Sequence, residues 1–599
     1  MNTESLRAFL IRVQIQLLYK KSTIFRRRRR RIVIFTIAVI SLLVVFGVIF
    51  GLVYGLKKRK YSRAAIAVDN VECSKIGRQI LEKGGTTVDA VLAAAICNGV
   101  MTGHSMGIGG GCIMVIYSKK KNKAYSLIGR GRAPSAAYAT MFIDGLAITV
   151  PGELRAYKKA YDNFGGGVSW RDLFQPTIEL CRNGFIVSPS QAKAIKETTS
   201  YILKDPTMRE LFVKNNQTNE LYSAGDIMKR PKYAATLEII AEQGVDAFYT
   251  GVLADKIIKE IQDRGGIITK QDLADYQVDF DEALHIPLKN SLTGFTSQAP
   301  SSGPILIFIL NILQGYNMLE NNFKNTSTSA LFYHRLIEAF KFAYAKRNEL
   351  GDPSQININD LIRKLTSKDY ADSIRARIDD HKTFSFEYYG ETWLDKLTTG
   401  TSHLSVIGSD GDAVAMTSTI NLYYGSKVLG PETGIIYNNE MNDFSIPNTI
   451  NFFGIPASPV NFIAPRKRSV SSASPLILLK NGHKRVQQAI GASGGTKITT
   501  TVAQVVVLNL WFNKNIKEAI DAPRLHSQLL PQEVMAEHGF DYMNYTNRNI
   551  FYQLKQRGHN ITYSEYGFST IQGIEWRDEV NQYWANCDIR KDGAPDGIF

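Results

Sequence analysis

Residues 402–425 read SHLSVIGSDGDAVAMTSTINLYYG. Apolar and polar residues alternate on both sides of Asp410-Gly411, the period of strands with one buried face. An Asp-Gly pair between two such runs is a strong hairpin signal. With Asp410 and Gly411 as a two-residue turn, paired positions sum to 821, so Thr401 faces Ile420 and Thr419 lies one step away. The hairpin is preceded by Gly400-Thr401. A threonine hydroxyl is a poor nucleophile at neutral pH unless a base sits beside it. At a chain terminus its own α-amine, titrating near 8, is that base. An internal Thr becomes terminal when its hydroxyl attacks the preceding carbonyl, and a glycine there puts no side chain in the way of the strained turn. The plainer alternative is a Gly-Thr step that only opens a strand.

Outward from the hairpin, Pro475 to Lys480 and Val486 to Gly491 read as further strands, and Thr501 to Leu510 as a strand or a helix. Upstream, Val71 to Leu81 reads as a helix stopped by Gly84-Gly85, and Thr86-x-x-Asp89 caps an apolar helix to Met101. Cys112 to Tyr117 reads as a strand behind the glycines of 107–111, an order opposite to that of a dinucleotide-binding loop. Residues 165–385 have helical texture, as in Ala235 to Glu242 and Ala330 to Lys346. Helix, sheet, sheet and helix in succession predict a layered α+β body.

The 599 residues carry a net charge of +16, which first suggests nucleic acid. Residues 1–63 hold fifteen Lys and Arg against the single acid Glu4, a net +14, so residues 64–599 carry only +2 and no nucleic-acid partner is expected. Ile32 to Leu56 is uncharged, and at about 1.5 Å per residue it exceeds the roughly 30 Å hydrocarbon core of a bilayer. It is also longer than the apolar core of a cleaved signal peptide, although Ala64–Ala67 resembles a cleavage site. Ten Lys and Arg precede the span and five follow it, so the N-terminus is expected inside and residues 57–599 outside the cell membrane. The run Arg26 to Arg31 then reads as a topology signal and a contact for anionic lipid. Glycosylation sequons at Asn216, Asn325, Asn544 and Asn560 agree with that side. The cysteines, Cys73, Cys97, Cys112, Cys181 and Cys587, form no metal-binding pattern; one or two disulfides are expected, with at least one thiol left over.

HExxH and Walker motifs are absent. Glu440 and Asp443, three apart, are suited to a cationic amino group. Ser471-Ser472 and Gly494-Gly495 supply hydroxyls and unblocked N–H groups for a carboxylate pocket and an oxyanion hole. Arg130 and Arg132, on one side of an extended segment, could clamp a carboxylate.

Together these motifs resemble the γ-glutamyltransferases, or glutathione hydrolases. TSHLSV, TSTINLYYGSKV, NNEMNDFS, SVSSASP and GASGGTKITT look like the small subunit, and CSKIGRQILEKGGTTVDAVLAAAICNGV, HSMGIGGG and ITVPGE look like the large one. The resemblance runs from about Ala64 to the DIRKDGAPDG tail. It implies an N-terminal-nucleophile hydrolase fold, an αββα four-layer sandwich behind a transmembrane helix. The implied divisions are a cytoplasmic tail (1–31), an anchor (32–56), a large subunit (57–400) and a small catalytic subunit (401–599), separated by self-cleavage between Gly400 and Thr401. Thr401 would attack the γ-amide of glutathione or another γ-glutamyl donor, and water, an amino acid or a dipeptide would take the acyl group, with no cofactor and no metal. Thr419 would orient the Thr401 amine. Asn421, Glu440 and Asp443 would bind the donor α-amine, and Arg130, Ser471 and Ser472 its α-carboxylate. Gly494 and Gly495 would form the oxyanion hole, and Cys73 and Cys97 a disulfide. Two departures stand out: Gly131-Arg132 follows Arg130 where the family has Glu and a small residue, and Ala473 stands where animal members often have Met. An amidase of the same fold with another acyl donor, and an inactive binding homologue, are the competing readings.

Overall fold

In the computed structural model the described residues are Val13 and 60–316, 325–390, 400–449, 457–482, 485–540, 545–564 and 567–599. The expected span 32–56 and the sequon Asn544 lie outside them, and among the described residues no helix is long and apolar enough to cross a membrane. The sequons Asn216, Asn325 and Asn560 are exposed.

Two antiparallel sheets carry the body. The first runs in the order Asp596–Ile598, Ala64–Val68, Ser402–Ile407, Ala413–Thr419, Gly111–Ser118, Lys123–Gly129, Asp279–Glu282. In the second, Gln582–Cys587, Thr570–Arg577, Arg485–Ser493, Leu476–Lys480, Leu292–Thr296 and Leu284–Leu288 follow one another. Alternation of side chains along each strand gives both sheets two buried faces. Ala67, Val115 and Ala415 of the first sheet share a core with Ile477, Ala489 and Ile574 of the second, so the sheets face each other. On its other face the first sheet puts Ile66, Met114 and Met416 against helices that include Thr87–Met101. The second puts Leu476, Leu478 and Ile490 against Gly303–Gln314, Thr326–Arg347 and Lys497–Leu510. The result is the expected order of helices, sheet, sheet, helices.

The helices Val71–Glu82 and Thr87–Met101 match their sequence signals, the second with a full Thr86–Asp89 capping box. The ambiguous run 501–510 is helical, within Lys497–Leu510, where the preceding Gly494-Gly495 breaks the strand. Three strands between Asp279 and Thr296 interrupt the region read as helical; their short lengths and the exposed charges of DFDE hide the alternation.

The hairpin register differs by one from the two-residue-turn reading. Ser402 pairs with Ser418 and Ile407 with Ala413. The loop holds three residues, Ser409–Gly411, closed by Gly408 N–H to Asp412 O at 3.1 Å, with Gly411 at φ +84°. A left-handed glycine is what a three-residue hairpin loop needs. Asp410 accepts the Thr87 N–H (3.2 Å) and hydroxyl (2.5 Å), which fastens the loop to a helix start. The shift places Thr401 opposite Thr419 rather than Ile420.

Candidate active site

Thr401 is buried just ahead of the strand Ser402–Ile407. Its hydroxyl donates to Thr419 Oγ1 at 3.0 Å, and that oxygen also accepts the Asn421 N–H at 2.8 Å. Gly400 has φ +122° and Thr401 φ +93°. For a β-branched residue a positive φ is an outlier, and such strain persists only where the surroundings impose it. Those surroundings are concrete. The Thr401 N–H reaches Ser105 O at 3.3 Å, the Ile420 N–H reaches the same oxygen at 3.0 Å, and Lys591 Nζ donates to Thr401 O at 3.1 Å while paired with Asp69 at 2.5 Å. A side chain at Gly400 would collide with Asn421 O, 2.1 Å from a built Cβ.

Thr401 and Gly494 line one cavity of about 700 Å³. Gly494 (φ +122°) and Gly495 (φ +65°) form the turn from the strand Arg485–Ser493 into the helix Lys497–Leu510. Their N–H groups therefore sit at the positive end of a helix, suited to a developing oxyanion.

Arg130 leaves the end of the strand Lys123–Gly129 and is buried. Its Nη1 lies 3.2 Å from Glu440 Oε1, and its Nη2 bonds Asp443 and, at 3.0 Å, Ser469 Oγ. Glu440 also accepts the Gly131 N–H at 2.9 Å. Burial pushes the Glu440 carboxyl above its ordinary value, against the pull of Arg130. Arg130, expected for the donor carboxylate, and Glu440 and Asp443, expected for its amine, thus form one ion triad. Arg130 Nε and Glu440 Oε1 are buried without a hydrogen-bond partner among the described residues, which leaves capacity on both signs of charge. Arg132 is not part of this triad. The chain bends after Gly129, and Arg132 pairs with Asp279 at 3.2 Å.

Ser472 Oγ accepts from Arg347 Nη2 at 2.9 Å, and Ser471 Oγ accepts the Ala473 N–H at 3.2 Å. Asn421 donates from Nδ2 to Asn439 O at 3.0 Å, so it ties the hairpin's end to the turn Glu440–Asp443. Cys73 and Cys97 are disulfide-bonded; Cys112, Cys181 and Cys587 are buried thiols.

The profile described as Gamma-glutamyltranspeptidase matches residues 73–598. The chain belongs to the γ-glutamyltranspeptidase family. It is 40% identical over 545 residues to Scoloptoxin SSD14 of Scolopendra dehaani (90% of this chain, 92% of the relative). Over 563 residues it is 35% identical to human Glutathione hydrolase 5 proenzyme (90% and 93%). Among solved structures, cephalosporin acylase from Bacillus halodurans superposes with a TM-score of 0.77 at 25% identity, covering 90% of this chain and 96% of that one.

The departure from the γ-glutamyltranspeptidase pattern at Gly131 has a packing cause. A Cβ there would stand 1.9 Å from Thr149 Oγ1 and 2.7 Å from Glu440 Oε2. Glycine lets the backbone N–H approach Glu440. Lys591, Arg347 and Lys497 are polar groups of this site that the sequence reading missed. Lys591 meets Thr401 across 190 residues and Arg347 meets Ser472 across 125, and no local pattern marks such pairs.

Elsewhere, donor atoms of His334, Glu338 and His559 lie within 4.8 Å of one another. This is a histidine cluster that the sequence does not display. His334 Nε2 meets Asp379 O at 2.7 Å, and a carbonyl only accepts, so Nε2 holds the proton and Nδ1 is bare. His559 Nε2–H then donates to His334 Nδ1 at 2.8 Å, and His559 Nδ1 faces Lys341 Nζ at 3.4 Å. The order of protons leaves no imidazole lone pair for a metal, and an ammonium stands beside it.

Proposed function

We propose that this chain is made as a precursor that cleaves itself between Gly400 and Thr401 and becomes a γ-glutamyltransferase and glutathione hydrolase. The observation that carries the reading is the Gly400–Thr401 step. Two consecutive residues have positive φ, the Thr401 hydroxyl is held on Thr419, and Thr401 lines the same cavity as Gly494. In the first reaction Thr401 Oγ attacks the Gly400 carbonyl carbon. The C–N bond breaks as the nitrogen takes the hydroxyl proton, and an ester links Gly400 to Thr401. Water hydrolyses that ester to the Gly400 carboxylate and a free threonine. In the second, the freed α-amine takes the hydroxyl proton as Oγ attacks the γ-amide carbonyl of the donor. Gly494 and Gly495 receive the oxyanion, and the amine leaving group departs with the proton. Water, an amino acid or a dipeptide then takes the γ-glutamyl group from Oγ. Arg130, Ser471 and Ser472 hold the donor α-carboxylate, and Glu440, Asp443 and Asn421 its α-amine, with the triad opening to admit both charges.

The products are a large subunit ending at Gly400 and a small one starting at Thr401. Residues 32–56 anchor the large subunit, with residues 57–599 outside the cell. A protease added to intact cells is expected to remove the body, and complete protection would place it inside. Electrophoresis with N-terminal sequencing should give a fragment beginning Thr-Ser-His-Leu. Thr401→Ala should stay one chain and be inactive, and Thr401→Ser should retain some processing. A fully active, uncleaved wild type would defeat the mechanism. The acylase reading is separated by donors lacking an α-amine. The acids Glu440 and Asp443 would serve no purpose for them, and equal turnover of both donor kinds would favour it.

A further inference from the structure

The cavity beside Thr401 is not the one that would hold the γ-glutamyl group. Its lining includes Thr401, Gly494, Lys193, Lys497, Arg590 and Lys591, but not Arg130, Glu440, Asp443, Ser471 or Ser472. With the acyl part held on the Arg130 side and the acyl carbon at Thr401, the open cavity receives whatever is on the other side of the scissile amide. That is the leaving group, and later the acceptor.

The cations of this cavity differ in how they are compensated. Lys591 pairs with Asp69 at 2.5 Å, and Arg590 pairs with Glu537 at 2.5 Å and Asp588 at 2.9 Å. Lys193 is near Glu197 at 3.8 Å. Among the described residues no carboxylate pairs with Lys497. Its Nζ donates to Gly567 O at 2.8 Å and Ser564 Oγ at 3.1 Å, both neutral, and stands 5.2 Å from the centre of the Phe568 ring. Among the described residues, one of its three N–H donors has no hydrogen-bond partner.

Burial and the helix dipole both disfavour the charge of Lys497. Lys497 is only 8% exposed. It is the first residue of a 14-residue helix whose first turn contains no acid, so its charge meets the positive end of the helix dipole. Burial draws its ammonium below the ordinary lysine value. A buried cation at a helix N-terminus, facing a cavity, is stabilised by an anion that enters the cavity.

We propose that Lys497 anchors the carboxylate of the leaving peptide and of the acceptor, and so selects amines that carry a free carboxylate. The inference rests on the activity proposed above. It is a specificity role: Lys497 reads the acceptor through its charge and performs no proton transfer.

The test uses the processed protein with γ-glutamyl-p-nitroanilide as donor and two acceptors of matched shape, glycylglycine and glycylglycinamide. For the wild type the acceptor KM should be about tenfold or more lower for glycylglycine, the worth of a charge-assisted bond. Lys497→Met should bring the two KM values to within about twofold. Lys497→Arg should keep most of the preference, and Lys193→Met, whose ammonium is exposed and already near Glu197, should keep all of it. Equal KM values in the wild type overturn the proposal even if no Lys497 variant folds. A preference that survives Lys497→Met, or is lost in Lys193→Met, overturns it as well. Failure of the wild type to release p-nitroaniline at all would instead overturn the proposed activity.

Discussion

Arg130 and Arg132 are two positions apart and serve different partners. Arg130 pairs with both Glu440 and Asp443, whereas Arg132 pairs with Asp279 nearer the surface. Removing Arg130 strips a charge-assisted contact from the donor and leaves Glu440 fully buried without its cation. Arg130→Ala should therefore lower kcat/KM for a γ-glutamyl donor by at least about 10- to 150-fold. Arg132→Ala should stay within about threefold. Steady-state kinetics showing the reverse order would move the clamp to Arg132. Glu440→Gln should raise the donor KM with cleavage at Gly400-Thr401 retained, since it keeps the shape but loses the charge that meets the ammonium. In the sequence it is the family resemblance that singles out Arg130 over Arg132. Alternation alone places Arg132 on the same side, because strict alternation assumes an extended strand, and the strand ends at Gly129. Lys497 and Lys591 were not legible, since what makes them notable is the company they keep in space.

The hairpin Ser402–Thr419 is the element on which the site depends. Its existence was written in the alternation and in Asp410-Gly411. Its register was not, because a two-residue and a three-residue loop use the same Asp-Gly signal. What decides between them is tertiary: Asp410 is drawn to Thr87 on a helix more than 300 residues away. The single-residue difference matters chemically, since it sets Thr419, not Ile420, against Thr401. Gly411 at φ +84° carries this loop. Gly411→Ala should lower unfolding free energy by about 1–2 kcal/mol, the usual penalty for a left-handed L-residue. Because the Asp410–Thr87 bonds remain, processing should be kept. Denaturant titration together with electrophoresis checks both parts. Loss of cleavage at unchanged stability would mean that the turn acts on the nucleophile directly.

The two lengths of chain on either side of Gly400 are joined by more than their sheets. His334, Glu338 and Lys341 come before the junction and His559 after it, and the ring-to-ring hydrogen bond is buried between them. Charged groups close in from every neighbour: Glu338 and Lys341 on the same helix, the Arg335–Asp380 pair, and Arg557 ahead of His559. Burial holds both imidazoles below their ordinary value, and it holds His403 and His526 down to about 3. A histidine lowered in the folded state stays neutral there while the unfolded chain takes up protons below about pH 6.5, so stability falls as pH falls through that value. Four carboxyls act oppositely. Burial raises Glu153 to about 8, Glu575 to about 7 and Asp412 to about 6, and it raises Glu440 as well, so each adds stability as pH falls toward the ordinary carboxylate range. Above pH 6.5 only these carboxyls are active, and below it the more numerous histidines prevail, so the melting temperature should peak near neutrality and drop toward pH 5. A proton on the His334–His559 pair has no acceptor to meet, because it would point either at the other ring's N–H or at the Lys341 ammonium. His559→Gln keeps a donor toward His334 and cannot titrate. It should lose some stability at pH 7.5, yet lose up to about 2 kcal/mol less than the wild type between pH 6.5 and 5, at 1.36 kcal/mol per pH unit. Urea titrations of both proteins at the two pH values measure that difference. An identical acid loss in the variant would show that the pair does not contribute to it and that His104, His403 and His526 carry the whole effect.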